Sequence, residues 1–223
     1  MIGDLKVETV RQNLEQVSQE IEQACARAGR KPGSVQVVAA VKYVAADQIT
    51  VLKAAGIEIA GENRAQELAV KQDLVPDLRW HFIGHVQSRK VRSIAPRVEL
   101  IHGVCSDSVL AQLGKHAPGA QILVEVNVAS EHGKSGVSPG QLPEFIARCR
   151  DIAGAQVRGL MTMPPLASEP EQSRRWFTQL AALAGEHGLS ELSMGTTQDF
   201  AVAVEEGATM VRIGTRLYRR LQG

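Results

Sequence analysis

Short apolar runs recur eight times along this chain, and a helix-compatible stretch separates each run from the next. The runs lie at 35–41, 57–60, 80–84, 98–102, 122–128, 157–163, 191–195 and 209–213. Between them, residues 46–55, 63–75, 86–95, 106–116, 139–152, 169–187 and 197–206 suit helices. Asp47 with Gln48, Ser106 with Asp107, and Ser138 with Pro139 read as helix starts. Strands that alternate with helices imply parallel βαβ units. Eight of them predict an α/β fold of one closed (β/α)8 barrel of TIM type, with an open doubly wound sheet as the alternative. No GxGxxG follows the first run, which counts against the dinucleotide-binding form of that alternative.

Ahead of the first strand, residues 4–29 carry Val10, Leu14, Val17, Ile21 and Cys25 at steps of three and four. That spacing predicts an extra amphipathic N-terminal helix, ended by "RKPGS" at 30–34. No repeat, low-complexity tract or linker interrupts the pattern, so residues 1–223 read as one domain.

Charge and cysteine content narrow the function classes. The 25 basic and 24 acidic residues nearly cancel, whereas a surface for nucleic acid or anionic membrane would carry a basic excess. Cys25, Cys105 and Cys149 are odd in number and lack CxxC spacing, which points to a reducing, cytoplasmic compartment. Asp4, Lys6, Glu8 and Arg11 interrupt the N-terminus, so no secretory apolar core is expected there. No apolar run approaches the roughly 20 residues that span a bilayer.

In barrels of this kind the chemistry sits at the C-terminal ends of the strands. Polar and glycine residues concentrate there: Lys42 after the first run, "GEN" at 61–63, "GHVQS" at 84–88, Asn127 with "SEHGKSG" at 130–136, "TMPP", "GTTQD" at 195–199, and "RIGT" at 212–215. Each taken singly is ordinary turn chemistry. Together they mark one active rim.

Lys42 is either a lysine snorkelling at a strand end or a Schiff-base lysine. Partial desolvation in a barrel mouth favours a neutral amine, which attacks carbonyls. In "MVRIGTRL", the backbone N–H groups of Gly214 and Thr215 and the Thr215 hydroxyl form a candidate phosphate cup. The hydroxyls of Thr196 and Thr197 add donors in the adjacent loop. Arg212 faces either into the barrel, toward an acceptor on a ligand, or outward into a salt bridge. His81, His85 and His102 lack metal-ligand spacing, so no metal site is expected. Cys105 has no basic residue predictably beside it and reads as a small buried residue. A lysine on strand 1 with a phosphate cup after strands 7 and 8 points to pyridoxal 5′-phosphate.

The blocks "AVKY", "AGENRAQE", "WHFIGHVQSRK", "VNVASEHGKSG", "RGLMTM" and "GTTQDFAVAVEEGATMVRIGT" follow one another in this order. In these the chain resembles the pyridoxal phosphate-binding homeostasis proteins (the YggS/PROSC family), which are similar to the barrel half of alanine racemase. The resemblance runs from about residue 35 to 218 and implies a fold-type III barrel. It implies that Lys42 holds the cofactor as a Schiff base, that Arg212 hydrogen-bonds the pyridine nitrogen, and that Thr197, Gly214 and Thr215 bind the phosphate. Asn63 would lie near the ring and its lysine. Val41-Lys42-Tyr43 replaces the family's usual Ser-Lys-Thr. Gly195-Thr196-Thr197-Gln198-Asp199-Phe200 replaces its usual Gly-Met-Ser-x-Asp-Met.

Arginine has donors and no acceptor, so a pyridine nitrogen held by Arg212 stays unprotonated and is a weak electron sink. The related racemases add a tyrosine from a second domain of the partner subunit. Here Tyr43 and Tyr218 both fall in the barrel, and a monomer is expected. The resemblance thus implies a protein that carries, buffers or delivers the cofactor, with pyridoxal phosphate-dependent apo-enzymes as recipients and vitamin B6 and amino-acid homeostasis as its setting. The alternatives are a small racemase-like enzyme using Lys42 as base, and a Schiff-base aldolase without cofactor.

Overall fold

The computed structural model describes residues 2–219. Eight parallel strands close on themselves in sequence order: β1 (Gln36–Ala40), β2 (Ile59–Glu62), β3 (Arg79–Phe82), β4 (Leu100–Val104), β5 (Gln121–Glu125), β6 (Gln156–Met161), β7 (Glu191–Thr196) and β8 (Met210–Ile213). The predicted barrel is the observed one, and the open sheet is excluded by the pairing of β1 with β8, Gln36 to Met210 through Ala39 to Ile213. Around it run α2 (Ile49–Ala54), α3 (Ala65–Leu74), α4 (Val91–Ile94), α5 (Asp107–His116), α6 (Leu142–Ala153), α7 (Arg174–Glu186) and α8 (Phe200–Glu205). The helix starts at 46, 88, 139 and 170 are single 3₁₀ turns that lead into the α-helices.

The N-terminal helix α1 spans Val7–Arg27, shorter at both ends than its apolar spacing suggested. Asp4 has φ of 54°, outside helical space, and Ala28 closes the last turn with its N–H on the Ala24 carbonyl. Val10, Val17, Ile21, Ala24 and Cys25 bury the apolar face. From that face Asn13 Nδ2 reaches the carbonyls of Leu217 at 3.1 Å and Arg219 at 2.8 Å. Arg216 pairs with Glu20, and Arg27 Nε with Glu205 Oε1 at 2.6 Å. The helix therefore straps the seam where the last strand meets the first.

Strand side chains alternate between two compartments. One set packs against the helices in a continuous core that includes Trp80, Phe82, Val124, Leu160 and Val211. The inward set fills the barrel with Val38, Ile59, Leu100, Leu123, Met161 and Met210. Above that plug the inward positions turn polar: His81, His102, Ser193 and Arg212 are all buried. Among the described residues no helix is long and apolar enough to cross a membrane.

Candidate functional site

Lys42, Asn63, Thr197, Arg212, Gly214 and Thr215 line one cavity of about 410 Å³ at the C-terminal mouth of the barrel. Ile2, Tyr43, Met163 and Tyr218 complete its walls. Ile2 is there because the N-terminal strand fragment bridges Val44, accepting the Ala45 N–H at 3.0 Å. No local sequence signal marks it. Tyr43 is 48% exposed, with the Lys42 ammonium 4.9 Å from its ring centroid. Phe200 is buried at the start of α8 and packs away from the cavity.

β1 stops at Ala40, two residues before Lys42, so the lysine begins a turn instead of ending the strand. What fixes that turn is a buried ion pair. The Lys71 ammonium meets Glu62 Oε1 at 2.7 Å, and both side chains are fully buried. Lys71 also donates to the Val41 carbonyl at 2.9 Å, while the Val41 N–H holds the Gly61 carbonyl at 2.9 Å. The other Glu62 oxygen accepts the N–H groups of Asn63 and Arg64. One pair thus locks the residue before Lys42 and the start of the loop that carries Asn63. The sequence places "GEN" on the active rim but does not disclose the pairing of Glu62 with Lys71. The available signal was Lys71 itself, three residues after Leu68 on the buried face of α3.

Asn63 is pressed from above by Gly84, where a Cβ would come within 2.7 Å of the Asn63 backbone. Its Oδ1 is buried and has no hydrogen-bond partner among the described residues. An unpaired buried acceptor costs about 1–3 kcal/mol, which a donor on a ligand would offset.

Arg212 points inward, and the outward salt bridge is excluded. Its Nη1 donates to the Ser193 carbonyl at 2.8 Å and to Ser193 Oγ, and its Nη2 to the Thr162 carbonyl at 2.9 Å. A further contact runs from Nη2 to the Met163 sulfur at 2.8 Å. Thioether sulfur is a weak acceptor, so a better one entering the cavity would displace it. Burial pushes Arg212 down to about 10, which leaves it a cation at neutral pH. Behind it runs a relay that the sequence did not disclose. His102 Nδ1 lies 2.9 Å from Ser193 Oγ, and His102 Nε2 lies 3.0 Å from His81 Nδ1. Burial lowers both imidazoles, His81 to about 4, so both are neutral at pH 7. Since Ser193 Oγ already accepts from Arg212, its proton points to His102 Nδ1, and His102 Nε2–H then points to His81.

The cup after β8 differs in one donor from the sequence expectation. The Gly214 N–H is taken by Thr197 Oγ1 at 3.2 Å, so it does not face the cavity as a free donor. That bond instead ties the loops after β7 and β8 together. Among the described residues no protein acceptor meets the Thr215 N–H, which remains for an anion together with the two threonine hydroxyls. Thr196 is occupied by Asp199 Oδ1, through its N–H at 2.7 Å and its hydroxyl at 3.1 Å.

A second cavity of about 600 Å³ adjoins the first and shares Met163, Thr196 and Gln198 with it. Lys134 lines this one, paired with Glu131 at 2.6 Å. Cys105 is half-buried, not buried, and the fold does give it a basic neighbour: His85 and Glu125 both have polar atoms within 4.8 Å of its sulfur. Burial, reinforced by Glu125, raises the Cys105 thiol, so it is no ready nucleophile.

A primary amine, a fixed cation and anion donors around one cavity make a site for an aldehyde that carries a phosphate. Residues 12–221 match the alanine racemase N-terminal domain family. A pyridoxal phosphate homeostasis protein of Aquifex aeolicus (strain VF5) is 38% identical over 219 residues, which cover 93% of this chain and 96% of that one. PipY of Synechococcus elongatus PCC7942, solved with PLP bound, superimposes with a TM-score of 0.74 at 31% identity, over 90% of this chain and 100% of that one. An alanine racemase of Clostridium difficile 630 shares the barrel fold with a TM-score of 0.72 at 13% identity, over 98% of this chain and 58% of that one. The chain belongs to the pyridoxal phosphate homeostasis protein family, within the broader family of alanine racemase N-terminal domains.

Proposed function

We propose that this chain binds pyridoxal 5′-phosphate as a Schiff base on Lys42 and carries, buffers and delivers it to apo-enzymes in the cytoplasm, as a monomer. The observation that carries the proposal is the convergence of Lys42, Arg212, Thr197 and Thr215 on one cavity of about 410 Å³, within the ~300–1,000 Å³ range of small-molecule sites. The orphaned Asn63 Oδ1 and the free Thr215 N–H fit such a group. When bound, the cofactor supplies a reactive aldehyde carbon and a conjugated ring. Thr197 and Thr215 hold its phosphate, and Arg212 offers a donor to the ring nitrogen once the Met163 sulfur gives way. All three cysteines are free, in keeping with a reducing compartment.

The same residues favour carriage over turnover. A cationic Arg212 donates and cannot accept, so the ring nitrogen it meets stays unprotonated, which weakens carbanion stabilisation. Tyr218, the cavity's buried phenol, spends its hydroxyl on the Ala40 carbonyl at 3.2 Å, and burial raises it far above its ordinary value. It is a poor general base.

Borohydride reduction of the protein loaded with pyridoxal phosphate, followed by peptide mapping, tests the attachment. The label is expected on Lys42 and is lost, with the imine absorbance, in Lys42→Ala. A label on Lys134 in the neighbouring cavity would overturn the assignment. α-Proton exchange of amino acids in heavy water at ordinary enzymatic rates would overturn carriage in favour of the racemase-like reading.

A further inference from the structure

Four strands around the barrel from Arg212, the rim carries a second cluster that the cofactor reading does not use. His85 follows β3, Cys105 follows β4 directly, and Glu125 is the last residue of β5. One ligand atom from each lies within 4.8 Å of the other two. Gly103 sets β4 this close to the segment after β3, because a Cβ there would come within 2.8 Å of the Gly84 carbonyl. A tetrahedral zinc, with bonds of about 2.0–2.3 Å to nitrogen, oxygen and sulfur, holds its ligands about 3.3–3.6 Å apart. Side-chain rotation of the exposed His85 and half-exposed Cys105 closes a gap of that size.

Glu125 is 7% exposed and makes no ion pair among the described residues. The buried Arg212 guanidinium acts on it through space, but among the described residues no cation touches the carboxylate directly. Ser135 Oγ donates to its Oε1 at 2.6 Å, which orients the carboxylate the way an outer-shell donor orients a metal ligand, and the Cys105 thiol donates to the same carboxylate. Thiolate and imidazole select borderline and soft ions, and the carboxylate disfavours the softest of them.

We propose that His85, Cys105 and Glu125 bind one zinc ion, with water in the fourth position. Three protein ligands and an open position reached from the exposed His85 side give the coordination of a reactive zinc site, not of a closed structural one. The thiol gives up its proton to solvent as its sulfur becomes a ligand. Glu125 also lines the cavity of about 600 Å³, so the open position adjoins that space.

Cobalt(II) titration of the purified full chain tests this, because tetrahedral cobalt absorbs to the red of the imine band and thiolate ligation adds a charge-transfer band. The expected result is about one cobalt per chain, displaced by zinc. His85→Asn alters an exposed side chain and leaves the core alone; it and Cys105→Ser should each weaken binding by more than about tenfold, the smallest loss typical even of outer-shell changes. Lys42→Ala should leave the cobalt spectrum unchanged, which separates this test from that of the cofactor. Absence of tetrahedral bands in the native chain, or binding that survives either the His85 or the Cys105 substitution, would overturn the site.

Discussion

Replacing Lys71 by methionine keeps most of the side-chain volume and removes one charge from the base of the Lys42 turn. In the native chain the ammonium satisfies Glu62 Oε1 at 2.7 Å and the Val41 carbonyl at 2.9 Å, and neither acidic nor basic side chain has any exposed surface. Removing one partner of a buried pair costs about 3–5 kcal/mol, because the other charge is stranded. Glu62 retains the Asn63 and Arg64 N–H groups on its second oxygen, which places the cost toward the lower end. For a chain of this length, about 3–5 kcal/mol corresponds to a fall in Tm of about 6–20 °C. Differential scanning calorimetry on Lys71→Met, Glu62→Gln and the double variant measures it. The double variant should cost clearly less than the two single losses summed, since neither charge is then stranded. A second readout follows from geometry: with Val41 and Asn63 released, pyridoxal phosphate should bind more weakly to Lys71→Met at temperatures where it is fully folded. A single-variant cost below about 1 kcal/mol, the worth of an exposed pair, would refute the view that this pair anchors the site.

Two other outcomes follow from buried groups. His81 is held at about 4 by burial while its unfolded value is 6.5, and His102 shifts in the same direction. Between those values the unfolded chain binds a proton that the folded chain refuses. Stability is therefore full above about pH 6.5 and falls toward about pH 4, with about 2 kcal/mol from His81 alone already lost near pH 5. Urea midpoints that match at neutral pH and near pH 5 would falsify this, and His81→Asn should flatten the slope. Gly84→Ala places a Cβ 2.7 Å from the Asn63 backbone, which should cost about 1–3 kcal/mol and weaken cofactor binding. Gly140→Ala, with nothing within 4 Å of the added carbon, serves as the control, and equal effects at both positions would count against the contact.

The alternation of apolar runs was enough to place all eight strands, because each strand of a closed barrel is covered on both sides and its apolar composition is local. Ends were harder: the run through Val41 continues past the last ladder residue, Ala40, because Val41 is still buried and bonded to Gly61. Lys42, Thr197, Gly214 and Thr215 stood out as polar or glycine residues after strands, whereas the facing of Arg212 was open in the sequence and the role of Asn63 came from the resemblance. Glu62 with Lys71 and His81 with His102 and Ser193 stayed hidden. They are polar residues at core-facing positions, and their partners come from other elements, up to 91 residues away for His102 and Ser193. The Gly214 N–H likewise looked free because its partner, Thr197, lies 17 residues earlier in the preceding loop. No local pattern encodes a partner supplied by closure.

The seam strapped by α1 has a consequence for the order of events during synthesis. β1 and β8 pair residues about 170 positions apart, Gln36 with Met210 being the first, and contacts of such separation form late. Lys42 lies on one side of that seam, while Arg212, Gly214 and Thr215 lie on the other. A nascent chain emerging from the ribosome therefore owns the lysine long before it owns the anion donors. The ligand pocket is a product of the last zippering step, and a chain stalled short of it presents an ordinary surface amine.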